Sequence, residues 1–352
     1  MSYKKRKVLV TGGLGFIGSN LSLRLVEEGA RVTIVDSAET GCGANPFNIE
    51  PVRDRVTLLP FDIGEPESFH DEVGQAEVIF NLAGEISHVH GMELPERDLA
   101  INTLAQLRFL LACRDHRPGV RIIYAGTRQV YGVPEYLPVD ESHPVQPVDF
   151  NGVHKYAATM YHLMLSAGGE MDAVVLRLTN VYGPRMALDV PCQGFLSTFL
   201  RRLLHGQTLE VFGDGRQLRD PVFVDDVVDA MLAAGAVPRL ASRSYNVGGP
   251  AALSLMEMAE IMSRETGVGP PALRPFPEGR KTIDIGSYYT DASLIEAELG
   301  WRPKTTFESG LRRTLAYYAQ HRARYLDVDS PNPHCKLDHA EKGRRKMVFA
   351  AV

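Results

Sequence analysis

The chain has 352 residues, 44% of them hydrophobic and 23% charged, with a formal net charge of −5. That balance fits a globular chain of one large domain or two lobes. The acidic surplus argues against an electrostatic nucleic-acid binder, and no apolar run approaches the ~20 residues of a membrane span. The basic Tyr3-Lys4-Lys5-Arg6-Lys7 has the charge of a signal n-region, but the apolar run after it stops at Thr11-Gly12-Gly13. No secretory leader is therefore expected. Cys42, Cys113, Cys192 and Cys335 lie far apart with no metal spacing. They read as free thiols of a reducing cytoplasm, and no metal site is expected.

Taken in order, Lys7 to Val10 is a short aliphatic run of strand type, followed by Gly12, Gly15 and Gly18. Phe16 to Glu28 then shows helical periodicity, with Ile17, Leu21, Leu25 and Val26 on one side. A strand, a glycine turn and a helix N-terminus make a pyrophosphate site. The glycines permit the turn and the close approach, and the helix end offers open N–H groups and a positive dipole. The next strand, Arg31 to Val35, ends in Asp36, eighteen residues past Gly18. A carboxylate there grips ribose hydroxyls and repels a 2′-phosphate, which favours NAD over NADP.

A loop from Ser37 to Asn48 leads to a third strand, Arg55 to Leu59, and then Phe61-Asp62-Ile63. Asp62 would hydrogen-bond an adenine amino group while Ile63 covers its face; the plainer reading is a turn-starting Asp. Glu65 to Val73 reads as a short helix and Val78 to Leu82 as a fourth strand running into Leu82-Ala83-Gly84. Leu94 to Arg117 reads as one long helix containing Asn102, either exposed or bracing the loop after the fourth strand. Arg121 to Ala125 and Val174 to Leu178 are further strands, the former ending at Gly126-Thr127. Strands alternating with helices predict an α/β fold, a Rossmann-type doubly wound parallel sheet with ligands at its carboxyl rim. Residues 1–180 form this domain, to which 221–250 return. Residues 181–220 and 251–326 are expected to form a smaller mixed C-terminal lobe that binds substrate, and 327–352 a loose or oligomer-packing tail. Asp225-Asp226 reads as a helix cap.

Thr11-Gly12-Gly13-x-Gly15-Phe16-Ile17-Gly18, Asp36, Asp62-Ile63, Asn81-Leu82-Ala83-Gly84, Val130-Tyr131-Gly132, Arg177 to Arg185 and Gly213-Asp214-Gly215-Arg216-Gln217 carry a resemblance. Together they resemble the extended short-chain dehydrogenase/reductase family, and within it the nucleotide-sugar epimerases and dehydratases, from about Val8 to Tyr318. The resemblance implies bound NAD held by Gly12, Gly15, Phe16, Ile17, Gly18, Asp36, Asp62, Ile63, Leu82, Ala83, Gly84, Asn102 and Lys155. It implies oxidation of a sugar carbon to a keto intermediate, with a Tyr base four residues before a Lys and a Ser or Thr on the sugar oxygen. Thr127 and Lys155 occupy two of those places, but the Tyr position holds Asn151. Asn151 and Lys155 share a helix face at i,i+4, yet a carboxamide does not take up a proton near neutral pH. His88, or a water held by Asn151, Thr127 and Lys155, is the candidate substitute. Tyr156 is turned ~100° away around the helix and reads as packing.

The family's dehydratases and decarboxylases carry acids just after the Thr, where this chain has Arg128-Gln129. Dehydration is thereby disfavoured. On the substrate side the resemblance points to Arg185, Arg219 and Arg280 on a diphosphate, Asn180 on a phosphate oxygen and Phe195 at the nucleobase. The expected function is an NAD-dependent nucleotide-sugar epimerase with an atypical proton relay. A ketoreductase or sugar dehydrogenase, and a catalytically silent nucleotide-binding module, are the alternatives. The family's pairing of two long helices predicts a homodimer through Leu94–Arg117 and Asn151–Ala167.

Overall fold

The computed structural model describes residues 2–39, 41–85, 87–188, 190, 194–237, 239–276 and 284–326, without the side chain of His88. Arg280, Cys192, Cys335 and the 327–352 tail lie outside the described residues. Six strands lie within the first half of the chain: β1 (Lys7–Thr11), β2 (Arg31–Val35), β3 (Val56–Leu59), β4 (Val78–Asn81), β5 (Arg121–Thr127) and β6 (Asp172–Leu178). A further strand, Ser244–Val247, joins them in a seven-stranded sheet. Its order is Ser244–Val247, β6, β5, β4, β1, β2, β3, and every neighbouring pair is parallel. The strand order reverses between β1 and β4, which opens a crevice at their carboxyl ends.

Both faces of the sheet are covered. Beneath one lie α1 (Phe16–Glu27) and the helix Val224–Ala236, whose Leu21, Leu25, Val227 and Met231 pack on Val8 and Val10. Beneath the other lie α2 (His70–Gln75), α5 (Ala105–His116) and α6 (Phe150–Ala167). Phe109, Leu110 and Leu165 there meet Leu9, Ile79 and Ile122. Strands with apolar side chains on both faces suit a sandwiched parallel sheet. Each such side chain contributes about 1.5–3 kcal/mol. A separate cluster, with Met186, Leu200, Met258, Leu311 and Tyr318 in it, gathers residues after 181 over the carboxyl rim.

Three local readings are corrected. The Leu94–Arg117 stretch is not one regular helix: α4 (Pro95–Leu99) passes through a π turn (Ala100–Leu104) into α5. The loop after β4 carries a helix of its own, α3 (His88–Glu93), whose N-terminus is capped by Ser87 Oγ accepting from His90 N at 3.2 Å. Pro95 disfavours helical backbone at Leu94, so α3 stops there. Asp226 caps no helix; the helix from Val224 has no side-chain cap, and Asp226 Oδ2 accepts from Lys304 N and Thr305 N.

Candidate active site

The glycine turn is fixed by sterics. Gly12 sits at φ +68°, and a Cβ on Gly18 would lie 2.2 Å from the Gly12 carbonyl oxygen. The α1 helix starts after Gly15 without any side-chain cap, so its first N–H groups stay open to an anion. Asp36 follows β2 and is buried; its Oδ2 accepts from Leu14 N and its Oδ1 from Ala38 N, both at 2.9 Å. Burial pushes its carboxyl up, while those two N–H groups hold it down. The loop after β4 is bound to β1 through Thr11. Its Oγ1 donates to Asn81 Oδ1 (2.8 Å) and accepts from Leu82 N and Ala83 N. Asn81 Nδ2 in turn donates to Gln106, whose own amide donates to the Ala83 carbonyl at 2.8 Å.

A cavity of about 320 Å³ runs along this rim. Gly12, Gly15, Phe16, Ile17, Gly18, Asp36, Asp62, Ile63, Leu82, Ala83 and Gly84 line one part. Glu85, Thr127, Arg128, Gln129, Asn151, Lys155, Asn180 and Phe195 are also among its lining residues. Asn151 and Lys155 stand on one face of α6, whose start is capped by Asp149 Oδ1 accepting from Gly152 N at 2.6 Å. The Asn151 amide is held from behind: Nδ2 donates to Asp98 Oδ2 at 2.8 Å and to the Glu85 carbonyl at 3.2 Å. Its Oδ1 is buried without a partner among the described residues. The other Asp98 oxygen meets His154 Nδ1 at 2.7 Å. Lys155 is buried, and desolvation pushes its ammonium down to about 8 against the pull of Asp98 and Glu85. Gly84 makes room for it: a Cβ there would stand 2.5 Å from Lys155 Nζ and 2.8 Å from Asn102 Oδ1.

A model of the NAD dependent epimerase/dehydratase family matches residues 8–248. The chain belongs to that family. This member is 32% identical to the putative UDP-glucose 4-epimerase of Methanocaldococcus jannaschii, over 88% of this chain and 97% of that protein. It is 30% identical to the UDP-glucuronic acid decarboxylase 1 of Xenopus tropicalis, over 98% of this chain and 80% of that protein. The crystal structure of UDP-glucose 4-epimerase from Thermotoga maritima with UDP-glucose superposes with a TM-score of 0.81 at 28% identity, covering 90% of this chain and 99% of that one. This family member is an NAD-dependent nucleotide-sugar enzyme, and the glycine turn, the open α1 N-terminus and Asp36 fit its cofactor.

The remaining residues singled out in the sequence fall unevenly in this family member. Asn102 is fully buried below the cavity wall, and neither amide atom has a partner among the described residues. Bracing of the loop after β4 falls to Gln106 instead. Arg185 does not line the cavity: its Nε donates to the Asn48 carbonyl, its Nη1 to Asn20, and its guanidinium stacks on Tyr317. Arg219 is buried and donates to the carbonyls of Leu218 and Gly286. Burial and the nearby Arg128 push it down to about 9. Tyr156 packs against Val130 and Tyr131. Asp98, Glu85 and His154 behind Asn151 had no sequence signal beyond polarity, whereas Arg128 stood out in the sequence as the residue directly after Thr127. Among the described residues no group of three His, Cys, Asp or Glu could hold a metal, and no helix is long and apolar enough to cross a membrane.

Proposed function

We propose that the chain is a nucleotide-sugar epimerase that oxidises one sugar carbon in the cavity and reduces the keto-sugar again from its opposite face. One observation carries this reading. The two cavity-lining residues that follow Thr127, where an acid would serve dehydration, are Arg128 and Gln129; the acid nearest Asn151 on the lining, Glu85, sits on the loop after β4. Elimination of a hydroxyl needs an acid to protonate the leaving group, whereas epimerisation does not. NAD, when bound, supplies the hydride acceptor and donor.

The chain's own residues then manage one proton. Thr127 Oγ1 accepts from Gln129 N at 3.2 Å, which leaves its own hydrogen for the sugar oxygen. Asn151 Oδ1, which has no partner among the described residues, accepts from a second, neighbouring sugar hydroxyl. Lys155, brought down to about 8 by burial, is neutral often enough near pH 8 to take the proton of the reacting hydroxyl at Nζ and return it. Asn180, whose Oδ1 is buried without a partner among the described residues, and Phe195 also line the cavity and serve the nucleotide. Residues 181–220 and 251–326 act as the substrate lobe. The working form is a cytoplasmic homodimer. Leu99, Leu104, Val153, Met160 and Met164 are exposed on the π-turn segment and α6, and a second copy would cover them. Dimerisation should be lost in Met164→Glu by light scattering.

The deciding experiment mixes NAD-loaded protein with a panel of nucleotide sugars and follows reduced-nicotinamide absorbance and product identity. A transient rise followed by an epimer, with no net cofactor use, supports the reading. Stoichiometric accumulation of reduced cofactor would make the chain a dehydrogenase. Binding with no redox signal in either direction would make it a binding module.

A further inference from the structure

The wall beside Thr127 carries a cation that redox chemistry does not use. Arg128 follows the cavity-facing Thr127 directly, opens the short 3₁₀ turn Arg128–Tyr131, and lines the cavity. Its guanidinium lies over the Tyr288 ring at 5.0 Å, and Tyr288 is 1% exposed. The ring is therefore a fixed platform. Stacking on one face leaves the guanidinium's N–H edges free, the edges that pair with a carboxylate through two parallel bonds. Among the described residues Arg128 forms no ion pair and donates no hydrogen bond.

The surroundings do not neutralise it. Asp220 and Asp149 act on Arg128 only as charges at a distance. Asp220 is 2% exposed, and burial pushes its carboxyl up to about 7, so it is half neutral at physiological pH. Arg219 adds a second buried cation near Arg128 and is itself held by two backbone carbonyls. The two guanidiniums thus meet carboxyls only as charges at a distance, Asp220 and Asp149 for Arg128 and Asp284 and Asp220 for Arg219. A half-buried cation on a cavity wall is costly unless an anion meets it.

We infer that the substrate's sugar bears a carboxylate, as a hexuronic acid does, and that Arg128 is the residue that selects it. The inference rests on the reading of the cavity as a nucleotide-sugar site. Arg128 adjoins Thr127 in sequence and lines the same cavity as Asn151 and Lys155, the residues to which the proposed function gives the reacting carbon. The anion it meets therefore belongs to the sugar, not to the diphosphate on the far side of the anomeric carbon.

The test is calorimetric titration of the NAD-loaded chain with UDP-glucose and UDP-glucuronate, which differ only in that carboxylate. Wild-type protein should prefer the glucuronate at least tenfold. Arg128→Met should lose that preference, its glucuronate affinity falling at least tenfold more than its UDP-glucose affinity with melting temperature retained. Arg128→Lys, which keeps charge but not the planar fork, should fall between. Equal affinity for the two sugars in wild type would overturn the whole inference and leave the nucleotide-sugar reading standing, and an equal loss for both in Arg128→Met with melting temperature retained would overturn the role of Arg128 alone. Binding of neither sugar while NAD binds would overturn the inference together with the nucleotide-sugar reading beneath it.

Discussion

The two ends of the cavity are built by different means. At the ribose end the working groups are backbone: the Gly12 turn, the uncapped start of α1, and N–H groups that hold Asp36. Every part comes from one strand–turn–helix–strand unit between Lys7 and Ala38. At the end proposed for the sugar the groups are side chains, buried apart from the half-buried Thr127 and Arg128. Glu85, Asp98, Thr127, Arg128, Asn151, His154 and Lys155 come from the β4 loop, α4, the end of β5 and α6. Shape governs the first end and charge the second, so the first should fail by clash and the second by pH.

The largest effect should come from the first end. Gly18→Ala places a methyl 2.2 Å from the Gly12 carbonyl, a backbone atom that cannot swing aside. The turn must open, at a cost of about 3 kcal/mol or more, and NAD affinity should fall at least a hundredfold. Thermal melting and calorimetric titration with NAD read both effects. Retention of wild-type affinity would show that the turn is softer than its geometry indicates.

The second end should respond to pH. Folded Lys155 titrates near 8, against 10.5 for an ordinary lysine. Between those values the unfolded chain binds more protons than the folded one, so stability should rise with pH through that window. Below it the folded chain carries a penalty on the order of 3 kcal/mol from this one group. Lys155→Met should abolish the rise, leaving a flatter profile of denaturant stability from pH 8 to 10. The same variant should lose ~10²–10⁴ in turnover if Nζ takes the sugar proton. A wild-type rate that does not climb through pH 8 would return the role to His88.

The contrast also explains what was legible in the sequence. The dinucleotide turn was legible because glycine spacing and the acid after β2 are local marks of backbone geometry. Asn151 and Lys155 were legible as a pair because i,i+4 spacing alone sets a shared face. The bracing of Asn151 by Asp98 was not, since it joins residues 53 apart across two helices. The π turn was hidden because Leu, Ala and Asn serve π and α backbone alike. The helix α3 was not legible because its six residues are too few for periodicity to register.

Arg185 gives the smallest effect and separates the two ends most cleanly. Its motif position suggested a diphosphate clamp at the sugar end. The structure joins it to Asn20 of α1 and to the Asn48 carbonyl behind the ribose end, at 3.0 and 3.1 Å, with Tyr317 beneath it. Arg185→Ala should therefore cost about 1–3 kcal/mol of stability from the lost charged hydrogen bonds, and leave nucleotide-sugar affinity within twofold. Arg185 also sits at φ +72°, in the left-handed region. Glycine accepts that backbone where alanine is strained, so Arg185→Gly should be about 1 kcal/mol more stable than Arg185→Ala. A tenfold or greater loss of nucleotide-sugar affinity in both variants would restore Arg185 to the diphosphate. An order of stability with alanine above glycine would show instead that the turn relaxes once the guanidinium lets go of α1.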